Sequence, residues 1–273
     1  MTKKTLDKPP NSLNDKKVVS ILARASTGGL IRVAEAAGAL KKDSPATALA
    51  LSRLARKGWV TRIRRGVYFV LPLEATKREG GVASDPWVIA ATLYAPCYVG
   101  GWSAAEHWEL TEQLFHSTFI VTSAHVRSKV ETVLGNDYRL VRVTTDRMHG
   151  LTTVWRGSTK VMLSDRERTL VDGLANPSWV GGFRHLSDMM ATYLSSEHRD
   201  DRKLLARADE VAKGAVYKRL GFLIERLDPT AKKIIETLRR KISTGFIKLD
   251  PAVAARGTFN ATWRVWENVA REQ

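Results

Sequence analysis

Positively charged side chains of a kind that contacts nucleic acid are concentrated between residues 44 and 72. The candidate DNA contacts in this stretch are Ser44, Thr47, Arg53, Arg56, Lys57, Arg62, Arg64 and Arg65. Arginine can bond guanine bidentately, while lysine mostly supplies charge to phosphates. The short side chains at the beginning of the stretch would let it approach the floor of the major groove. Leu49, an apolar residue among these cations, would either meet a thymine methyl group or pack against a neighbouring helix.

The local pattern predicts a helix that presents the first half of these residues. Ser44 is a suitable N-cap and Pro45 suits the first helical position, where its missing N–H has no consequence. The apolar residues at helical spacing would face a core, and they are Ala48, Leu51, Leu54 and Ala55. Gly58 is placed to end the helix in a left-handed conformation.

Two short strands, at 59–63 and 67–71, are predicted after this helix. The intervening Arg64-Arg65-Gly66 suits a tight turn, because only Gly66 adopts a positive φ without steric cost. Upstream, Asn14 can cap a helix through Arg24 with Val18, Ile21 and Leu22 inside, and a second helix over 33–40 is interrupted near Gly38. Three helices and a hairpin within about sixty residues are typical of a winged helix-turn-helix domain, which reads DNA.

Charge divides the 273-residue chain into two parts. Residues 1–80 carry 17 Lys and Arg against 6 Asp and Glu, whereas residues 81–273 carry 27 against 22. A strongly basic module favours nucleic acid as a partner. We expect a disordered tail at 1–11, the winged helix at 12–73, a linker at 74–84 and a larger domain at 85–273.

The pattern of the larger domain predicts a mixed α/β (α+β) fold, because β-rich segments are followed by helical ones. Strands are expected at 97–100, 118–122, 139–143, 152–155 and 160–163. Helices are expected to begin at Asp85-Pro86 and at Ser103, and to span 165–174, 184–195, 200–212, 214–226 and 229–242. The segment 123–134 is ambiguous between helix and strand.

Cysteine usage and hydropathy indicate a cytoplasmic protein. Cys97 is the only cysteine, so it cannot form an intramolecular disulfide, and its apolar surroundings favour buried packing over a reactive thiol. The amino terminus lacks the apolar core of a signal peptide. Residues 86–105 carry no charge but are interrupted by Pro96, Gly100 and Gly101, which favours a buried helix and strand over a membrane span.

Two groups of residues raise the alternative of a DNA-targeted hydrolase. Residues 101–105, Gly-Trp-Ser-Ala-Ala, approach a nucleophile elbow around Ser103, with Asp172 and His198 as conceivable partners. Ser103 with Glu106 also forms a capping box, which is the favoured interpretation. Esterase activity is therefore the weaker hypothesis.

The second group that raises the hydrolase alternative consists of acidic residues at 165–172. Asp165, Glu167 and Asp172 would suggest a metal cluster, but Ser164 with Glu167 forms another capping box and Arg168 can pair with Asp172. The histidines at 107, 116 and 125 fit no usual ligand spacing. We predict no bound metal, no cofactor and no enzymatic activity.

Three stretches together resemble a known family. They are RKGWVTRIRRGVYFVLP, YVGGWSAAEHWELTEQ, and MLSDRERTLVDGLANPSWVGG with AVYKRLGFLIERL beyond. In this order the chain resembles, over about residues 14–227, the AbiE-type (AbiEi, abortive-infection) antitoxins, transcriptional regulators of type IV toxin–antitoxin pairs. Residues 228–273 match less clearly, and their role stays open.

The resemblance implies a repressor and an antitoxin in one chain. The winged helix would bind inverted repeats upstream of its operon, and the C-terminal domain would counteract a nucleotidyltransferase-like toxin, directly or functionally. Matching positions in that domain include Trp102, Ser103, Glu167, Arg168, Asp172, Arg219 and Gly221. Their pattern is as compatible with folding as with toxin contact. The runner-up is a stand-alone regulator whose second domain senses a small ligand. Without a heptad repeat, we expect a monomer in solution that pairs on repeated half-sites.

Overall fold

The computed structural model describes residues 13–70, 85–254 and 257–269. The chain divides into two compact units, one comprising Met1–Leu93 with Trp155–Lys160 and the other Tyr94–Val154 with Val161–Gln273. The tail predicted at 1–11 and the linker predicted at 74–84 lie outside the described residues. The mixed α/β fold is confirmed.

The first unit contains a winged helix. Its described elements are α1 (Leu13–Ala25), β1 (Leu30–Arg32), α2 (Val33–Leu40), α3 (Ser44–Arg56), β2 (Val60–Arg64), β3 (Val67–Val70) and α4 (Pro86–Leu93). The strands form an antiparallel sheet in the order β1-β3-β2. Strand β1 was not expected, and it completes the sheet by pairing Leu30 with Phe69. Helix α4, which the sequence placed in the larger domain, is grouped with this unit.

The core of the winged helix is built from one face of each helix and from the sheet. Val19, Leu22, Leu51 and Leu54 are fully buried there. Ile21 was expected on the inner face of α1 but is 42% exposed, because Val19 and Leu22 fill the buried stripe. Helix α2 continues through Gly38, and it ends at Lys41 in a left-handed conformation.

The start of α3 differs by one residue from expectation. Asp43 is the N-cap, and its Oδ1 accepts a hydrogen bond of 2.7 Å from the amide of Ala46. Ser44 is therefore the first helical residue and not the cap. The hairpin has the predicted form, with a bulge between Arg62 and Arg64 and Gly66 at φ 77°.

The second unit pairs a sheet with a helical layer. Its sheet contains β4 (Cys97–Val99), β5 (Ser117–Thr122), β6 (Val130–Val133), β7 (Asn136–Arg142), β8 (Leu151–Arg156) and β9 (Thr159–Ser164), although Trp155–Lys160, where β8 turns into β9, is grouped with the first unit. They form a mixed sheet in the order β6-β7-β5-β4-β9-β8. The expected strands are thus present, and the ambiguous segment 123–134 contains β6.

The helices of this unit are α5 (Gly101–His107), α6 (Arg166–Ala175), α7 (Phe183–Ser195), α8 (Asp201–Val211), α9 (Gly214–Leu227) and α10 (Lys232–Lys241), with a 3-10 turn at Pro177–Trp179. The five helices predicted between 165 and 242 correspond to α6–α10. A last small sheet joins β10 (Ile247–Lys248), β11 (Thr258–Asn260) and β12 (Val265–Glu267). The fully buried Trp263 beside this sheet packs against Gly221 of α9.

The uncharged stretch 86–105 folds as α4, β4 and the first residues of α5. In the part of the chain that the structure describes, no helix has both the length and the apolar character required to cross a bilayer.

Candidate nucleic-acid interface

Helix α3 has one buried side and one exposed, basic side. Leu51 and Leu54 are fully buried, whereas Ser52, Arg53 and Arg56 are exposed. Leu49 is 74% exposed, so it does not pack against a neighbouring helix within its unit. An exposed leucine between cations is available for a thymine methyl group.

The wing continues this exposed side of α3. Arg62 of β2 lies directly opposite Tyr68 of β3, so their side chains leave the sheet on the same face. The Tyr68 hydroxyl oxygen is 3.4 Å from Oγ of Ser52, one helical turn before Arg56. Arg62 is therefore positioned next to the exposed side of α3. We call Leu49, Ser52, Arg53, Arg56 and Arg62 the α3–β2 strip.

A buried carboxylate on α1 faces the end of α3. Asp15 has 3% of its side chain exposed; its Oδ2 is 2.6 Å from Nζ of Lys57, and its Oδ1 is 3.6 Å from Nη2 of Arg53. Lys57 thus ties α1 to the end of α3. Arg53 has 54% of its side chain exposed and a longer ion pair, so its guanidinium remains accessible to a ligand.

The two adjacent arginines of the wing have different surroundings. The guanidinium of Arg64 donates a hydrogen bond to the carbonyl of Leu93 at the end of α4, and Arg32 donates one of 2.6 Å to the carbonyl of Thr92. Both arginines thereby satisfy carbonyls that lack partners within the helix. Arg65 is exposed in the turn of the hairpin. Both residues are exposed, but Arg65 lies at the tip of the hairpin, whereas the guanidinium of Arg64 is bonded to the end of α4.

Thr47 does not fit the predicted DNA contact. It is completely buried, and its hydroxyl oxygen has no hydrogen-bond partner among the described residues. It lies one turn before Leu51 on the inner side of α3. Ser44, in contrast, is exposed at the start of the helix.

In the second unit, Arg168 and Asp172 form the predicted ion pair. Both residues are 3% exposed, and Nε of Arg168 lies 3.0 Å from Oδ1 of Asp172. The Tyr98 hydroxyl donates to the other carboxylate oxygen at 3.1 Å. Burial raises the pKa of Asp172, while Arg168 and Tyr98 favour its charged form.

This pair lines a cavity of about 150 Å³ together with Arg147, His149 and Lys213. Nη1 of Arg168 also lies 2.9 Å from Nε2 of His149, and Oε2 of Glu210 is 2.6 Å from Nδ1 of that ring. Small-molecule sites measure roughly 300–1,000 Å³. The cavity therefore gives no support to the ligand-sensing alternative.

The other candidates in this unit make structural contacts. The Oγ of Ser103 accepts from the amide of Phe119 at 2.9 Å, and Gly100 is the N-cap of α5; the capping box predicted for Ser103 is therefore wrong. Nε1 of Trp102 donates to the carbonyl of Ser117 at 2.7 Å.

Arg219 holds the last small sheet to the helical layer. Its buried guanidinium donates three hydrogen bonds, to the carbonyls of Leu174 (2.7 Å), Lys248 (2.9 Å) and Leu249 (2.8 Å). Burial lowers the pKa of Arg219 to about 10, so the side chain is still charged at neutral pH.

The residues of the hydrolase alternative have separate partners. Ser103 is engaged by a backbone amide and Asp172 by Arg168, whereas the half-exposed His198 lies 3.8 Å from Glu197. Among these contacts, Ser103, Asp172 and His198 do not bond to one another as the members of a catalytic triad would.

The acidic residues at 165–172 likewise each lie beside a positively charged side chain. Asp165, and not Ser164, is the N-cap of α6, and it also lies 2.8 Å from Arg207. Glu167 lies 2.6 Å from Lys203. Within the described ranges, no three His, Cys, Asp or Glu side chains are grouped as they would be around a metal ion.

Residues 20–70 match AbiEi_4, the family described as "Transcriptional regulator, AbiEi antitoxin". The expected resemblance is confirmed over these residues. The AbiEi segment so defined contains the whole α3–β2 strip and the tip arginine.

Among solved structures, the crystal structure of the RV2827C protein from Mycobacterium tuberculosis is similar, with 16% sequence identity over 94% of this chain and 92% of that chain and a TM-score of 0.63. This likeness concerns the fold alone. No curated protein matches the chain.

Proposed function

We propose that the AbiEi segment binds double-stranded DNA in the cytoplasm and represses the operon that encodes it. The observation that carries this proposal is the α3–β2 strip, in which exposed cations of a helix and of a wing adjoin a highly exposed leucine. A helix of this kind suits the major groove, and arginines beside it supply phosphate and base contacts. Two copies would bind an inverted repeat, each occupying one half-site.

Binding to a duplex from the region upstream of the gene tests this assignment. The double variant Arg56→Ala/Arg62→Ala removes two exposed cations of the strip and should weaken binding at least tenfold, since a bidentate base contact is worth about 1–3 kcal/mol and each lost phosphate contact also forfeits counterion release. The charge-matched control Lys232→Ala/Lys233→Ala removes two exposed cations of α10 and should bind as the unmodified protein does. Equal affinities of the two variants would reject the strip as the interface.

We further infer that the second unit counteracts a nucleotidyltransferase-like toxin. The support is the AbiEi match of the N-terminal segment together with the resemblance that extends to residue 227. The matching side chains Ser103, Arg168, Asp172 and Arg219 are buried, so a direct contact with the toxin would use other, exposed residues of this unit.

Co-expression separates the two activities. The full chain carrying Arg56→Ala/Arg62→Ala should still rescue growth when the adjacent toxin gene is expressed from an independent promoter, while it fails to repress a reporter placed behind the operon's own promoter. Loss of rescue by this variant at unchanged protein level would contradict the assignment of neutralisation to the second unit.

A further inference from the structure

A second basic surface lies in the second unit. A groove of about 520 Å³ is lined by residues 126–129 before β6, by residues 139–142 of β7 and by the end of the 3-10 turn at Pro177–Trp179. Its charged side chains are Arg127, Lys129, Arg139 and Arg142, and no carboxylate lines it. We call it the β7 groove.

The cations of the β7 groove are not used by the fold. All four are exposed, and among the described residues none of their side chains takes part in an ion pair or hydrogen bond. Elsewhere in this unit, Arg168, Lys203 and Arg207 each lie beside a carboxylate. Uncompensated like charges repel each other, so their accumulation favours an anionic ligand.

Protection of a sheet edge does not account for this charge. Lysines on edge strands deter pairing with other chains, which would explain Lys129 beside the edge strand β6. Arg139, however, belongs to the part of β7 that is paired on both sides, with β6 and with β5. This arginine therefore requires another explanation.

An aromatic side chain borders the same groove. Arg139 lies beside Phe119 in the register of β5 and β7, so both side chains leave the sheet on one face. The ring of Trp179 packs 5.6 Å from that of Phe119, and its indole is only partly buried. The core thus fixes a flat π surface next to the cations.

We propose that the β7 groove binds a single-stranded nucleic acid. Such sites combine cations that follow the phosphate backbone with aromatic rings on which bases stack. Arg139 and Arg142 are three residues apart on β7, so their side chains leave opposite faces of the strand. The groove's cations thus come from both faces of β7 and from the segment 126–129, and they are not gathered around one small anion. Stacking and phosphate contacts discriminate little between bases, so binding depends weakly on sequence and strongly on salt.

The test uses the full chain carrying Arg56→Ala/Arg62→Ala, in which duplex binding by the α3–β2 strip is weakened. In this background, fluorescence anisotropy with a fluorescein-labelled oligouridylate or oligothymidylate measures single-strand affinity. Adding Arg139→Ala/Arg142→Ala should lower that affinity at least tenfold, whereas adding Lys232→Ala/Lys233→Ala should leave it unchanged. A circular dichroism melt verifies folding, and Arg127→Ala/Lys129→Ala provides a second groove variant outside the strands.

In an otherwise unmodified chain, Arg139→Ala/Arg142→Ala should keep its affinity for the upstream duplex. Failure of the groove proposal is thereby distinguishable from failure of the DNA-binding proposal.

Three results would overturn the assignment. The first is no oligonucleotide binding by the strip variant, and the second is equal binding by the groove and control variants. The third is displacement of the oligonucleotide by polyglutamate or inorganic tripolyphosphate at equal charge concentration, which would indicate an acidic protein or a simple anion as the occupant.

Discussion

Arg64 and Arg65 are adjacent and carry the same charge, yet the structure assigns them different roles. Arg64 donates to the carbonyl of Leu93, and Arg65 is exposed in the hairpin turn. Comparing Arg64→Ala with Arg65→Ala therefore separates a structural arginine from a DNA-contacting one without changing net charge between the variants.

The magnitudes follow from counterion release and hydrogen bonding. Each phosphate contact contributes about 0.9 to the slope of log affinity against log salt concentration. Arg65→Ala should reduce the steepness of that slope by about 0.9 per half-site and leave the free energy of unfolding unchanged. Arg64→Ala should leave the slope unchanged and lower the free energy of unfolding by about 1 kcal/mol, since the Leu93 carbonyl loses a charged donor in a partly exposed position.

Anisotropy titrations of the upstream duplex over a series of salt concentrations measure the slope, and urea unfolding measures stability. If Arg64→Ala flattens the salt dependence as much as Arg65→Ala does, the two arginines do not have different roles, because Arg64 would then contact phosphate and not α4. A flat response to Arg65→Ala would remove the tip of the wing from the interface.

Three further predictions concern the fold. A Cβ at Gly221 would lie 1.9 Å from the Trp263 ring, so Gly221→Ala should lower the free energy of unfolding by about 3 kcal/mol. Gly38 has no neighbour within 4 Å of such a Cβ, so Gly38→Ala should raise the free energy of unfolding by about 0.5–1 kcal/mol. Urea unfolding measures both changes, and equal effects of the two substitutions would contradict the packing of Trp263 against Gly221. Arg168→Ala leaves a buried carboxylate unpaired and should cost about 3–5 kcal/mol, and a loss below about 1 kcal/mol would show that this pair is dispensable. Burial raises the pKa of the partly buried Cys97 thiol to about 12, so the native thiol should react with iodoacetamide at least tenfold more slowly at neutral pH than the urea-unfolded chain does; equal rates would contradict this shift.

Much of the fold was predictable because its signals are local. Helices such as α3 and α9 have apolar residues at helical spacing, and the hairpin has Gly66 at its turn. Strand β1 is only three residues long and forms because β3 offers it hydrogen-bond partners, which no local pattern reveals. The caps at Asp43 and Asp165 were displaced by one residue, since an adjacent serine competes with a carboxylate that accepts more strongly.

The site was predictable in composition but not in its pairings. The cations were identified from the sequence, yet Asp15 is separated from Lys57 by 42 residues and Leu93 from Arg64 by 29. Such partners are set by packing between elements. The burial of Thr47, in contrast, was predictable, because its spacing of four residues from Leu51 places it on the inner side of α3. It was assigned to the DNA-binding side because its side chain is polar.

Photo-crosslinking from Leu49 tests the central claim most directly. This side chain is 74% exposed at the N-terminal end of the α3–β2 strip, and Leu114 of the second unit, at 81%, is a matched exposed leucine. With p-benzoylphenylalanine introduced at either position, irradiation with the upstream duplex should crosslink DNA bases from position 49 and not from position 114. Crosslinks from position 114 alone, or none from position 49 while the protein still binds the duplex, would contradict the account.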